Sequence, residues 1–153
     1  MGYMPFSILL PERKKFLDGI KRPYTKVFYY FGHISVANNA GDGFLVNSYE
    51  RDNVVSPHEV EACIQESGNH YKFVYINGCY GIDVTECFGA EASVGWGTEV
   101  SVWDSFWVSY YFWGIASKMF APRQVSIIHE EVQSLITDTL LQENFKRMGD
   151  TEL

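Results

Sequence analysis

Basic charge is in short supply in this chain: 12 Lys and Arg against 19 Asp and Glu leave a net charge of −7 and a pI near 5.0. A surface that binds nucleic acid or an anionic membrane needs clustered cations. The one cluster here, Arg13, Lys14 and Lys15 with Lys21, Arg22 and Lys26 close behind, reads as the solvated face of a helix. Cysteine is scarce as well. Cys63, Cys79 and Cys87 are an odd number, at spacings that match neither the common zinc patterns nor a CxxC redox pair, so neither a disulfide framework nor a metal or other cofactor is expected. No apolar run reaches the length of a membrane span. The N-terminal stretch Phe6 to Leu10 is too short for the core of a secretion signal and runs into Pro11 and charges. Repeats, low-complexity tracts and linkers are also missing. The expectation is one soluble, reduced, cytoplasmic domain over residues 1–153, with a short βα entry over 1–25 and a frayed tail over 146–153.

What is plentiful is core material: the chain is 46% hydrophobic and 16% aromatic, ample for a single core. FSILL (6–10) reads as a short strand, and the proline at 11 followed by charges and then Phe16, Leu17 and Ile20 reads as a helix. KVFYYF (26–31) is a strong strand that ends in Gly32 and His33. Asn38 to Gly43 marks a turn, with FLVN (44–47) as a short strand or hairpin arm after it. Ser56, Pro57 and Glu59 have the spacing of a capping box, and Val60, Cys63 and Ile64 form the apolar face of the helix they start. YKFVYIN (71–77) is aromatic and β-branched, as suits a strand covered on both faces. EASVG (91–95) is another short strand. The run from Trp103 to Phe120 is apolar nearly all round and predicts a buried helix. A last helix starts near Pro122 and carries Val125, Ile128, Val132, Leu135, Ile136 and Leu140 at three- and four-residue steps. This alternation predicts an α/β three-layer sandwich with a small, mainly parallel sheet.

Two strands end alike, one in Gly32-His33 and the other in Gly78-Cys79-Tyr80-Gly81. In an open α/β sheet the carboxyl ends of the strands are where ligands bind, so in one parallel sheet His33 and Cys79 emerge at the same edge. A thiol becomes nucleophilic as thiolate, and a neighbouring imidazole both favours that form and can protonate a leaving amine. Cys63 and Cys87 read as small core residues. His58, His70 and His129 have no ligand spacing and are expected at the surface; His129-Glu130-Glu131 lacks the second histidine of a zinc-protease helix.

An apolar strand ending in histidine, a helix, and a second apolar strand ending in Asn77-Gly78-Cys79-Tyr80-Gly81 resembles the caspase-hemoglobinase clan of cysteine peptidases, most closely its gingipain-like and CHAT-domain branches. Gly89-Ala90 through Gly95-Trp96 is similar to the strand that follows in that family, and Asp104 to Phe112 to its later helix. The resemblance covers roughly residues 26–135. It implies a caspase-like fold shortened at its N-terminus, a His33–Cys79 dyad that cleaves a peptide or protein substrate, and an oxyanion hole made by the backbone N–H groups of Ile34 and Cys79. The family usually has glycine where this chain has Ile34. Trp96, which follows a strand end at the same edge, reads either as a wall of a substrate pocket or as ordinary packing. The alternative expectation is a non-catalytic α/β interaction module that oligomerises through the aromatic helix over 103–120, because a small domain cannot bury so many rings and a second copy or a missing partner domain would cover them.

Overall fold

The computed structural model describes residues 12–46, 54–117 and 122–153. The FSILL segment lies outside the described residues, so the expected first strand has no counterpart among them.

The chain alternates helix and strand as α1 (Arg13–Ile20), β1 (Val27–Phe31), β2 (Ile34–Ala37), β3 (Ala40–Leu45), β4 (Val54–Val55), α2 (Pro57–Ser67), β5 (Phe73–Asn77), β6 (Ala92–Trp96), α3 (Val102–Ser117), α4 (Val125–Leu135), α5 (Thr139–Asn144) and β7 (Phe145–Gly149). Four strands form the main sheet in the order β1-β5-β6-β7, with β1, β5 and β6 parallel and β7 antiparallel to β6. Strands β2, β3 and β4 make a separate antiparallel sheet. One face of the main sheet buries α1, α2 and two 3₁₀ turns between β5 and β6, through Phe16, Ile20, Tyr30, Val60, Cys63, Val74, Ile76, Val84 and Phe88. The other face buries α3 and α4, through Phe73, Tyr75, Val94, Trp96, Phe112, Ile128, Val132 and Phe145. The molecule is therefore a three-layer α/β sandwich with a mainly parallel sheet, as its alternation predicts.

Strand β5 is the axis of both layers. Phe73, Val74, Tyr75 and Ile76 are all fully buried, alternating between the two faces as strand geometry requires. Burial of such side chains stabilises a fold by about 1.5–3 kcal/mol each. α2 begins as its sequence implies: Glu59 N–H donates to Ser56 Oγ at 3.4 Å, and Ser56 N–H donates to Glu59 Oε2 at 3.0 Å. It ends at Gly68 with φ of 67°.

Four expectations are corrected. The turn expected over 38–43 is confined to Asn38 and Asn39, both at positive φ (52° and 60°), so Gly41, Asp42 and Gly43 belong to β3. The tail after Phe145 is not frayed: Lys146, Arg147 and Met148 pair with Gly95, Val94 and Ser93 and close the sheet. The apolar stripe from Val125 to Leu140 is two helices, because Ile136 takes an extended conformation and Asp138 caps a new start by accepting from Leu141 N–H at 2.9 Å. The aromatic helix is half buried rather than enclosed. Its inward face is Ser105, Val108, Ser109 and Phe112, while Trp103, Phe106, Trp107, Tyr110 and Tyr111 face outward.

Candidate active site

The parallel register of β1 and β5 pairs Phe31 with Asn77, and the ladder continues one step further as Gly32 N–H donates to Asn77 O at 3.3 Å. Gly32 and Gly78 then meet with no side chain between them. A methyl group added to Gly78 would fall 2.3 Å from Gly32 O, so only glycine permits this approach. The next residue on each chain is His33 and Cys79. Both stand at the carboxyl edge of adjacent parallel strands, the place where open α/β sheets hold ligands.

Each is held by its surroundings. Beneath His33, Tyr30 Oη lies 2.8 Å from His33 O and 2.9 Å from Leu45 O, sharing its one proton between two carbonyls and fixing the backbone where β1 turns into β2. The His33 ring is exposed. Cys79 is half-buried, and its sulfur is engaged with the backbone of Val100: Val100 N–H donates to Sγ at 3.4 Å and the thiol points to Val100 O at 3.6 Å. Among the described residues, no hydrogen bond joins the Cys79 thiol to the His33 ring. Tyr80 follows with φ of 53°, a left-handed conformation that is uncommon for a bulky residue. Its N–H donates to Thr98 O at 3.0 Å, and Gly81 N–H closes the turn onto Gly78 O at 2.9 Å.

The β2–β3 hairpin packs over this turn. Gly41 N–H donates to Asp83 Oδ2 at 2.9 Å, and a side chain at Gly41 would meet Tyr80 O at 2.5 Å. Leu45 N–H donates to His33 O at 3.1 Å, which makes Ile34 and Phe44 a non-hydrogen-bonded pair; the Ile34 N–H therefore turns away from β3. Among the described residues, no backbone acceptor takes the Cys79 N–H. Beside the strand ends lies an apolar cleft of about 190 Å³ lined by Phe31, Val102, Trp103 and Phe106.

Trp96 does not wall this cleft. It is fully buried, packed on Phe145 with ring centroids 5.1 Å apart, and its Nε1–H donates to Asn77 Oδ1 at 2.8 Å. Asn77 is the polar hub under the site: its amide also donates to Ser105 O at 2.9 Å and Ser109 Oγ at 2.8 Å. Ser109 in turn lies 2.9 Å from Tyr29 Oη. This network ties the ends of β5 and β6 to α3 and so fixes the height at which Cys79 leaves the sheet.

The other thiols differ from Cys79 in setting. Cys63 is buried. Burial pushes the Cys87 thiol up to about 12, and it donates to Val84 O at 3.0 Å. Of the histidines expected at the surface, His58 and His70 are exposed, whereas His129 is buried. It stacks on Phe145 at 4.9 Å and donates its Nε2–H to Phe145 O at 2.9 Å. Among the described residues, no group of three or more His, Cys, Asp or Glu side chains is placed to hold a metal ion, and no helix is long and apolar enough to cross a membrane.

Sequence reasoning missed Val100, Tyr30, Asn77 and the cleft. Val100 acts through its backbone, so its residue type carries no signal. Asn77 left one: a polar residue ending a strand otherwise buried on both faces must have its amide satisfied. No family model matches the chain, and no curated protein matches it.

Proposed function

We propose that the chain is a cysteine-peptidase-like hydrolase domain in which Cys79 attacks a peptide carbonyl and His33 carries the proton. The observation that supports this reading is the β1–β5 register, extended through Gly32 and Gly78, by which both residues follow the carboxyl ends of adjacent parallel strands. The sulfur adds to the carbonyl carbon, the amine leaves with a proton from the imidazolium, and water then releases the acyl group from the thioester. The backbone N–H groups of Ile34 and Cys79 are the donors for the transient oxyanion. Catalysis requires the sulfur to leave Val100 for the imidazole, a tightening in keeping with apo sites, whose catalytic hydrogen bonds are often long.

The test is site-resolved thiol labelling. A chloro- or iodoacetamide probe is expected to modify Cys79 ahead of Cys63 and Cys87, and to react at least about tenfold more slowly in His33→Ala, a threshold set below the about 10²–10⁴-fold that an acid–base partner contributes. Cys79→Ser should abolish cleavage across a broad peptide library. Equal labelling of the three thiols, or a His33→Ala variant as reactive as the parent, overturns the dyad. The second reading is a non-catalytic α/β interaction module, favoured by the thiol's bonds to Val100. It predicts assembly with no turnover on any peptide.

A further inference from the structure

The outward face of α3 is the least ordinary surface of the molecule. Trp103, Phe106, Trp107, Tyr110 and Tyr111 each leave between 41 and 72% of their surface exposed, and Phe31 at the end of β1 adds 47%. These rings are contiguous: Trp107 contacts Phe106, Tyr110 and Tyr111 at centroid distances of 5.5, 5.8 and 6.4 Å. A run of exposed rings along one helix is larger than the scattered apolar residues of an ordinary surface and marks an interaction site.

We infer that this face is the contact surface between two copies of the chain. The first argument is charge. The protein carries a net −7, so two copies repel one another except where charge is sparse. From Val102 to Ser117 the only ionisable acid or base among Asp, Glu, Lys, Arg and His is Asp104, and its carboxylate is engaged by Ser101 Oγ at 2.5 Å. Along this face self-association meets little repulsion. The second argument is area. An aromatic side chain offers roughly 150–250 Å², so six half-exposed rings present on the order of 600–700 Å², near the about 800 Å² per partner of a standard interface. The third is the way the helix is rooted. Ser105 and Ser109 face inward and are bound to Asn77, so α3 sits close to the sheet with Trp103, Phe106, Trp107, Tyr110 and Tyr111 turned outward. A two-fold arrangement lets the same patch serve both copies, and it covers the cleft between Phe31 and the start of α3.

This inference does not depend on the chemistry of Cys79. Light scattering and sedimentation of the 153-residue chain are expected to give twice the monomer mass at about 100 μM, above the roughly micromolar weak end of standard-size interfaces. Trp107→Asp and Phe106→Asp should weaken the dimer at least about 30-fold, the loss expected for an aromatic hot spot. Because both side chains are exposed, near-UV dichroism and urea midpoint at low concentration report whether the monomer stays folded. Cys79→Ser and Met148→Asp, the latter on the exposed β7 edge, are expected to remain dimeric. A parent chain that is monomeric at about 100 μM overturns the inference and leaves the face to a different partner. So does a dimer that both aspartate variants leave intact.

Discussion

The two helical layers solve the same problem in opposite ways. Over one face of the sheet, α1 and α2 put charge outward and apolar residues inward: Lys14 pairs with Asp18 at 2.5 Å on the exposed side of α1, while Phe16 and Ile20 go into the core. Over the other, α3 turns Ser105 and Ser109 inward beside Val108 and Phe112 while five of its aromatics face outward, and α4 buries a histidine. Layer one is held by apolar burial and a helix cap. Layer two has an apolar core as well, but adds polar groups that must find partners inside the protein, and unpaired buried polar groups are costly. The comparison implies that layer two is the more easily damaged by deleting one polar atom. It also holds the end of the strand that presents Cys79, which follows Asn77 and Gly78.

Asn77→Ala is the strongest way to break the contrast. It orphans the buried Trp96 Nε1–H and removes the amide that engages Ser105 O and Ser109 Oγ. At about 1–3 kcal/mol for each buried group left unsatisfied, the expected loss is about 3 kcal/mol, read from urea unfolding. A loss under about 1 kcal/mol would mean that the network is incidental to layer two. The variant should also slow alkylation of Cys79, since the strand end that presents the thiol is no longer tied to α3.

Layer one has a smaller lever. Ser56→Ala removes one half of the capping box at the start of α2 and is expected to cost about 1 kcal/mol. For a domain of this length that corresponds to a melting shift of about 3 °C, with thiol reactivity at Cys79 unchanged. The sharpened comparison is then a ratio: the polar hub of one layer outweighs the cap of the other about threefold, and only the former reaches the site.

The elements of both layers were legible, but the facing of α3 and the pairing of β7 in the second layer were not. Ser56-Pro57-Glu59 announces a helix because capping depends on residue types at fixed spacing, and Phe73 to Ile76 announces a doubly buried strand because both faces must be apolar. His33 and Cys79 were legible as strand-end residues, which their positions bear out. α3 defeats a pattern based on hydrophobicity, since both of its faces are apolar by composition and only the packing of Ser105 and Ser109 against Asn77 decides which turns in. β7 was hidden because Lys146 and Arg147 look like tail residues; charged side chains suit an edge strand, where they discourage further pairing. The hold of Val100 on the Cys79 sulfur is a backbone contact, outside what residue identity encodes.

The finest test of the two layers is acid. Burial holds the His129 imidazole below its ordinary value, with the nearby Arg147 acting in the same direction, while its bond to the Phe145 carbonyl and the Glu130 carboxylate oppose the shift. Above the ordinary histidine value of about 6.5 both folded and unfolded chains carry the neutral ring, and the full stability is present. As pH falls below that value the unfolded chain takes up a proton that the folded one resists, so stability declines until the lowered folded value is reached. The contribution is below about 1 kcal/mol at pH 6 and its slope is at most one proton, about 1.4 kcal/mol per pH unit. Urea titrations between pH 7 and pH 5 should therefore be shallower for His129→Gln than for the parent, since glutamine can keep a donor near the Phe145 carbonyl without titrating. Identical slopes for the two proteins would remove His129 from the polar account of layer two and leave Asn77 to carry it.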